Sequence, residues 1–179
     1  MKVSKNGFGL RAAVGFLFVS VTGTILHFVY DWCGQSTLAG LFSAVNESTW
    51  EHMKLFYFPF LAFSVIEAVL LKRKSNGFWC VKLCGLLAGL LTIPVLYYTY
   101  TGVFGRSVDW FNITIFFIAA AVTFWVEYRL NKLDKKCFIP DKIALTLMLL
   151  LGVVFMVLTF SPPKILLFRD PVTKTYGRQ

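Results

Sequence analysis

Five runs of about twenty predominantly apolar residues dominate this chain, and each is long enough for a helix to cross about 30 Å of hydrocarbon. They cover about 10–30, 50–71, 78–99, 108–130 and 142–160. The expected fold is all-α: a polytopic membrane bundle of five transmembrane helices. It forms a single integral membrane domain over residues 1–179, with a polar tail from 161 to 179. Composition agrees, with 57% hydrophobic residues, only 15% charged and 19 Phe. The first run is too long, and lacks the small-residue cleavage site, for a cleaved signal peptide.

A net charge of +9 invites a nucleic-acid reading until its distribution is considered. The basic residues sit between the apolar runs, where topology signals belong, so nucleic acid is not an expected partner. Lys2, Lys5, Arg11, Lys72, Arg73, Lys74, Lys82, Arg129, Lys132, Lys135, Lys136 and Lys142 fall on one side. Lys54, Arg106, Lys164, Arg169, Lys174 and Arg178 fall on the other. The positive-inside rule then expects the N-terminus inside, the C-terminus outside and location in a cell membrane.

Four cysteines give no expected disulfide framework. Cys33 lies near one face, and Cys137 lies in a loop at the other. Cys80 and Cys84 are one helical turn apart within a span, where they read as small buried hydrophobes. Their CxxxC spacing is also a weak metal signal.

Polar chemistry concentrates in one place. His27 and Asp31 lie near the end of the first span, and the segment Asn46-Glu-Ser-Thr-Trp-Glu-His-Met-Lys54 leads into the second. The expected topology puts both at the outer face, and ionisable groups beside lipid are the default functional-site candidates. His27 and Asp31, four residues apart, share a helix face. They can ligate a metal together, the Asp can fix the tautomer of the His, or the pair can close the helix end. Glu47 and Glu51 have the same spacing and suit a divalent cation or general acid–base work. Ser48-Thr-Trp-Glu51 also matches a capping box, in which Glu51 satisfies a backbone N–H at the helix start. That alternative leaves Glu47 freer to act. His52, about 100° around the helix from Glu51, approaches a shared ligand from the flank. Trp50 reads as part of an interfacial aromatic belt.

The catalytic candidates are therefore His27, Asp31, Glu47, Glu51 and His52, and the metal-ligand candidates are His27, Asp31, Glu47 and His52. Tyr97, Tyr98, Tyr100, Asp109 and Trp110 reach the same face. The tail joins them, and its Ile165-Leu-Leu-Phe168 stretch is suited to lie over the cluster as a lid. At the inner side Glu67 and Glu127 are intramembrane acids, with Arg73 in snorkelling reach of Glu67. Pro59 and Pro94 interrupt two spans, and Gly85 and Gly89 form a small-xxx-small pair suited to close helix packing.

His27 to Asp31, the N-E-S-x-W-E-H-x-K string and the Ser-Pro-Pro…Phe-Arg-Asp-Pro…Tyr-Gly tail resemble a group of small multi-pass membrane proteins of Gram-positive bacteria, catalogued as a domain of unknown function. The resemblance implies a bacterial cytoplasmic membrane protein and brings no activity or cofactor. From the residues themselves, three classes of function remain open. The first is metal-assisted hydrolysis or transfer on a lipid or lipid-linked substrate, with a divalent metal ion as cofactor. The second is binding or transport of a small solute or cation. The third is a structural subunit whose cluster staples helix ends together.

Overall fold

A computed structural model describes residues 5–70, 77–133, 137 and 139–178. The elements run α1 (Lys5–Trp32), α2 (Thr37–Phe42), α3 (Thr49–Leu70), α4 (Phe78–Phe104), α5 (Asp109–Leu133), α6 (Asp141–Phe160) and the 3-10 turn η1 (Leu166–Phe168). The helices α1, α3, α4, α5 and α6 are the five long and apolar enough to cross a membrane, as in a multi-pass membrane protein. Lys2, Lys72, Arg73, Lys74, Lys135 and Lys136 lie outside the described residues.

The central helix is α3, which packs on every other element. The reason lies in its sequence. Phe56, Tyr57, Phe60 and Phe63 are buried along it, and large aromatics supply the most contact area per residue. The tightest pairing, α4 on α5, runs through Gly85 and Gly89 as the spacing predicted. A Cβ on Gly89 would lie 2.0 Å from Thr123 Oγ1 and 3.1 Å from the Ala119 carbonyl oxygen. Bare backbone here lets the two helices approach closely. Leu17, Val21, Leu91, Val95, Val153 and Val157 stay exposed, as expected for a surface that meets lipid. Both α3 and α4 continue through Pro59 and Pro94.

Three features depart from the sequence reading. The short helix α2, which the span analysis did not foresee, begins where Ser36 Oγ accepts the Ala39 N–H at 3.2 Å. Lys82 is not a loop charge: it is buried, and its Nζ lies 2.8 Å from both Glu67 Oε2 and Glu127 Oε2. Arg11 Nη1 reaches the other oxygen of Glu67 at 3.4 Å, so Glu67 has partners among the described residues. Finally, Cys80 and Cys137 form a disulfide, which ties Cys137 to the first turn of α4. There Asp141 accepts the N–H groups of Gly77 at 2.7 Å and Trp79 at 2.9 Å, a favourable place for a carboxylate.

Candidate functional site

The polar segment between α2 and α3 is fixed from both sides. The helix α3 starts after Ser48, whose Oγ accepts the Glu51 N–H at 3.4 Å, which is half of a capping box. The reciprocal half is absent. Ser48 N–H instead bonds Asn46 Oδ1 at 2.9 Å, and Glu51 Oε2 accepts the Val45 N–H at 3.1 Å.

Glu51 thus turns inward, away from Glu47. Lys54 Nζ lies 2.6 Å from Glu51 Oε2 and donates to Gly40 O and Thr159 Oγ1 at 2.8 Å each. Thr159 Oγ1 donates to Glu51 Oε1 at 2.9 Å. Both Glu51 and Lys54 are buried, so this is a fully satisfied ionic staple joining α2, α3 and α6. The sequence reading offered Glu51 both a capping and a site role; the structure gives its carboxylate these three partners.

Glu47 precedes the helix and turns toward the histidines. Its Oε1 lies 3.5 Å from His27 Nε2, and its Oε2 lies 3.5 Å from His52 Nε2. One donor atom from each of the three residues falls within 4.8 Å of the others. The imidazoles approach each other at 5.7 Å between centroids. His52 Nδ1 donates to the Ser48 carbonyl oxygen at 2.9 Å. In the neutral ring that bond leaves the lone pair on Nε2, facing Glu47. The hydrogen bond with His27 holds the Glu47 carboxyl below the usual carboxylate range, in spite of partial burial, and His52 acts in the same direction.

Asp31 does not join the trio. It is exposed, and its carboxylate accepts a 3.4 Å bond from Gln35. The sequence grouped it with His27 by spacing alone, whereas Glu47 reaches the same imidazole from a different segment.

The tail holds Glu47 in place, and sequence reasoning missed the residue responsible. Asp170 is buried, and its Oδ2 accepts the Glu47 N–H at 3.1 Å. Its Oδ1 accepts the N–H groups of Val172 and Thr173 at 2.6 and 3.0 Å. Burial acts to raise the Asp170 pKa, but the N–H groups of Thr173, Glu47 and Val172 outweigh it, so the carboxyl stays below its ordinary value. Asn46 Nδ2 donates to Gly177 O at 2.9 Å, adding a second tie. Trp50 is sandwiched between Phe155 and Phe168 at 4.4 and 4.6 Å. It is therefore buried under the tail and does not belong to an exposed interfacial belt. The available signal was Arg-Asp-Pro between the 3-10 turn and Tyr-Gly: an Asp followed by Pro nucleates a turn of this kind.

The trio lies on the wall of a cavity of about 730 Å³ between α1 and α5. Gly23, Thr24 and Phe28 of α1 and Ile113, Phe116 and Phe117 of α5 line it, with Phe116 packed against Gly23, and the tail residues Pro171, Val172 and Lys174 contribute to the wall. Phe28, Ile113 and Phe117 also belong to the exposed apolar surface, so the cavity is continuous with the flank that would meet lipid. Arg106, Asp109 and Lys174 add charge to its lining. A second, smaller pocket between His52, Tyr97 and Asn112 adjoins it.

A family model described as "Family of unknown function (DUF6512)" matches residues 4–178. The chain belongs to the DUF6512 family. No curated protein and no solved structure matches it. What a DUF6512 member can do must therefore be read from its side chains. Between the histidine cluster and the Lys82 network the bundle of this DUF6512 member is filled with rings. Phe56 lies against Phe60 at 6.0 Å and Phe116 at 6.2 Å, and Phe60 and Phe63 each lie 5.8 Å from Phe124. Such filling lends no support to a polar path through the bundle.

Proposed function

We propose that His27, Glu47 and His52 bind a divalent metal ion, Zn²⁺ by ligand type, in a pocket on the outer side of a bacterial cytoplasmic membrane. There the protein carries out metal-assisted hydrolysis or group transfer on a lipid or lipid-linked substrate. The observation that carries this reading is the placement of two imidazole Nε2 atoms 3.5 Å from the two oxygens of one carboxylate. With one donor atom from each residue the three lie within 4.8 Å of one another, and side-chain rotation closes them toward the roughly 3.4 Å ligand–ligand edge of a tetrahedral site with bonds of about 2.1 Å. Three protein ligands leave the open position that a catalytic metal needs for water or substrate. A bound ion there supplies Lewis acidity and lowers the pKa of its water.

The lipid part rests on the cavity. Its apolar walls on α1 and α5 suit a hydrocarbon chain, and Arg106 and Lys174 suit an anionic head group. The outer placement rests on the loop charges, of which Lys82 no longer counts. In this reading Asp31 acts on His27 only through its field, and Glu51 is structural.

The test is metal content of the purified, oxidised full-length protein, followed by release of water-soluble product from phospholipid vesicles. About one equivalent of zinc is expected in the wild type and in Asp31→Asn, with loss in His27→Ala and Glu47→Gln. Equal metal in all four proteins sinks the proposal.

A further inference from the structure

Three sulfur atoms gather at the opposite end of the bundle from the histidines. Cys80 lies in the first turn of α4, Cys84 one turn later, and Cys137 in the α5–α6 connection. Their Sγ atoms all lie within 4.8 Å of one another, with Cys80 and Cys137 bonded. Cys80 is fully buried and the other two are half-buried. The fourth cysteine, Cys33, is exposed at the histidine end.

A cross-link needs two sulfurs, and Cys84 is a third held beside it. The setting suits a cation. Asp141 Oδ1 accepts the Cys80 N–H at 3.3 Å, which fixes the turn of α4 that carries this sulfur. Three thiolates within 4.8 Å of one another repel, and a bound cation neutralises them. Three sulfur donors select soft ions with filled d shells over hard ones. Zn–S bonds of about 2.3 Å put tetrahedral sulfurs about 3.8 Å apart, within side-chain rotation of the present arrangement.

We propose that Cys80, Cys84 and Cys137 form a binding site for a soft cation of the Zn²⁺ class, open when the three sulfurs are reduced and closed by the Cys80–Cys137 disulfide. Opening takes two electrons from a dithiol reductant. Its sulfurs become a disulfide, the Cys80–Cys137 bond breaks, and each of those two sulfurs takes up a proton. The entering cation then displaces the thiol protons to solvent. The site shares no residue with the histidine pocket and stands whether or not that pocket binds metal.

The experiment uses the full-length protein in detergent, reduced anaerobically with a dithiol and titrated with Co²⁺ as a thiolate-sensitive probe. A sulfur-to-cobalt charge-transfer band is expected in the reduced wild type and in Cys33→Ser. Its loss is expected in the oxidised protein, in Cys84→Ser and on displacement by Zn²⁺. No band in the reduced wild type, or an undiminished band in Cys84→Ser, overturns the site. A second measurement needs no variant: Zn²⁺ should protect the half-buried thiols Cys84 and Cys137 of the reduced protein from alkylation and leave Cys33 reactive. Equal alkylation of Cys84 and Cys137 with and without Zn²⁺ overturns it as well.

Discussion

Asp170 Oδ2 accepts the backbone N–H of Glu47 at 3.1 Å, across 123 positions of sequence, so the tail sets where that carboxylate stands. Replacing Asp170 with Ala removes the buried acceptor of three part-buried hydrogen bonds, from the N–H groups of Glu47, Val172 and Thr173. The expected cost is about 1–3 kcal/mol. Thermal unfolding followed through Trp50, which packs on Phe168 of the tail, reads it. An unchanged midpoint would mean that the tail does not hold the site.

The same carboxyl sets an acid limit. Its pKa is depressed on folding, so its contribution to stability is complete above the unfolded value of about 3.9 and fades as pH falls through the lower folded value. Glu47, also depressed, acts with the same sign. The gap in melting temperature between wild type and Asp170→Ala should be constant above about pH 5 and shrink below about pH 4. A gap that persists undiminished at about pH 3 contradicts this assignment.

The Glu51–Lys54 staple predicts an asymmetry. Lys54→Met alone leaves Glu51 buried without its counter-ion and should cost about 3–5 kcal/mol. Glu51→Gln combined with Lys54→Met should recover most of that loss. Thermal melts of the two variants decide the matter. A double variant no more stable than the single one would argue against a charge-compensating pair.

Helix packing gives a matched pair of tests. Gly89→Ala forces a methyl to within 2.0 Å of Thr123 Oγ1 and against Ala119 backbone, so α4 and α5 must separate. Overpacking of this kind costs about 1–3 kcal/mol. Gly102→Ala, with nothing within 4 Å, should be neutral. Similar melting temperatures for both would remove the close-packing account.

The five long helices were legible because length and hydropathy are local properties of a segment. Ends were less so: the third span was read to 99, and α4 runs to Phe104. Lys82 was misplaced because a lysine a few residues into an apolar run looks like a loop charge until its distant partners Glu67 and Glu127 are known. Spacing misled in another way at the polar segment. Glu47 and Glu51 are four apart, but Ser48 starts the helix between them, so one turns out to the histidines and the other turns in to Lys54. Asp170 needed a contact with Glu47, 123 positions away, and no periodicity encodes that.

The Arg11–Glu67–Lys82–Glu127 network bears on how the protein is built. Its two positive and two negative groups come one each from α1, α3, α4 and α5, and α6 contributes none. A lone ionised group in hydrocarbon is costly, so none of those four helices is at ease in lipid by itself. The ion pairs link α1 to α3, α3 to α4 and α4 to α5, whereas α6, with mean hydropathy 2.7, needs no partner to stay in the bilayer. Insertion of this chain is thereby tied to pairing: each charged helix reaches its resting depth only when its counterpart arrives, and the last helix is free to follow.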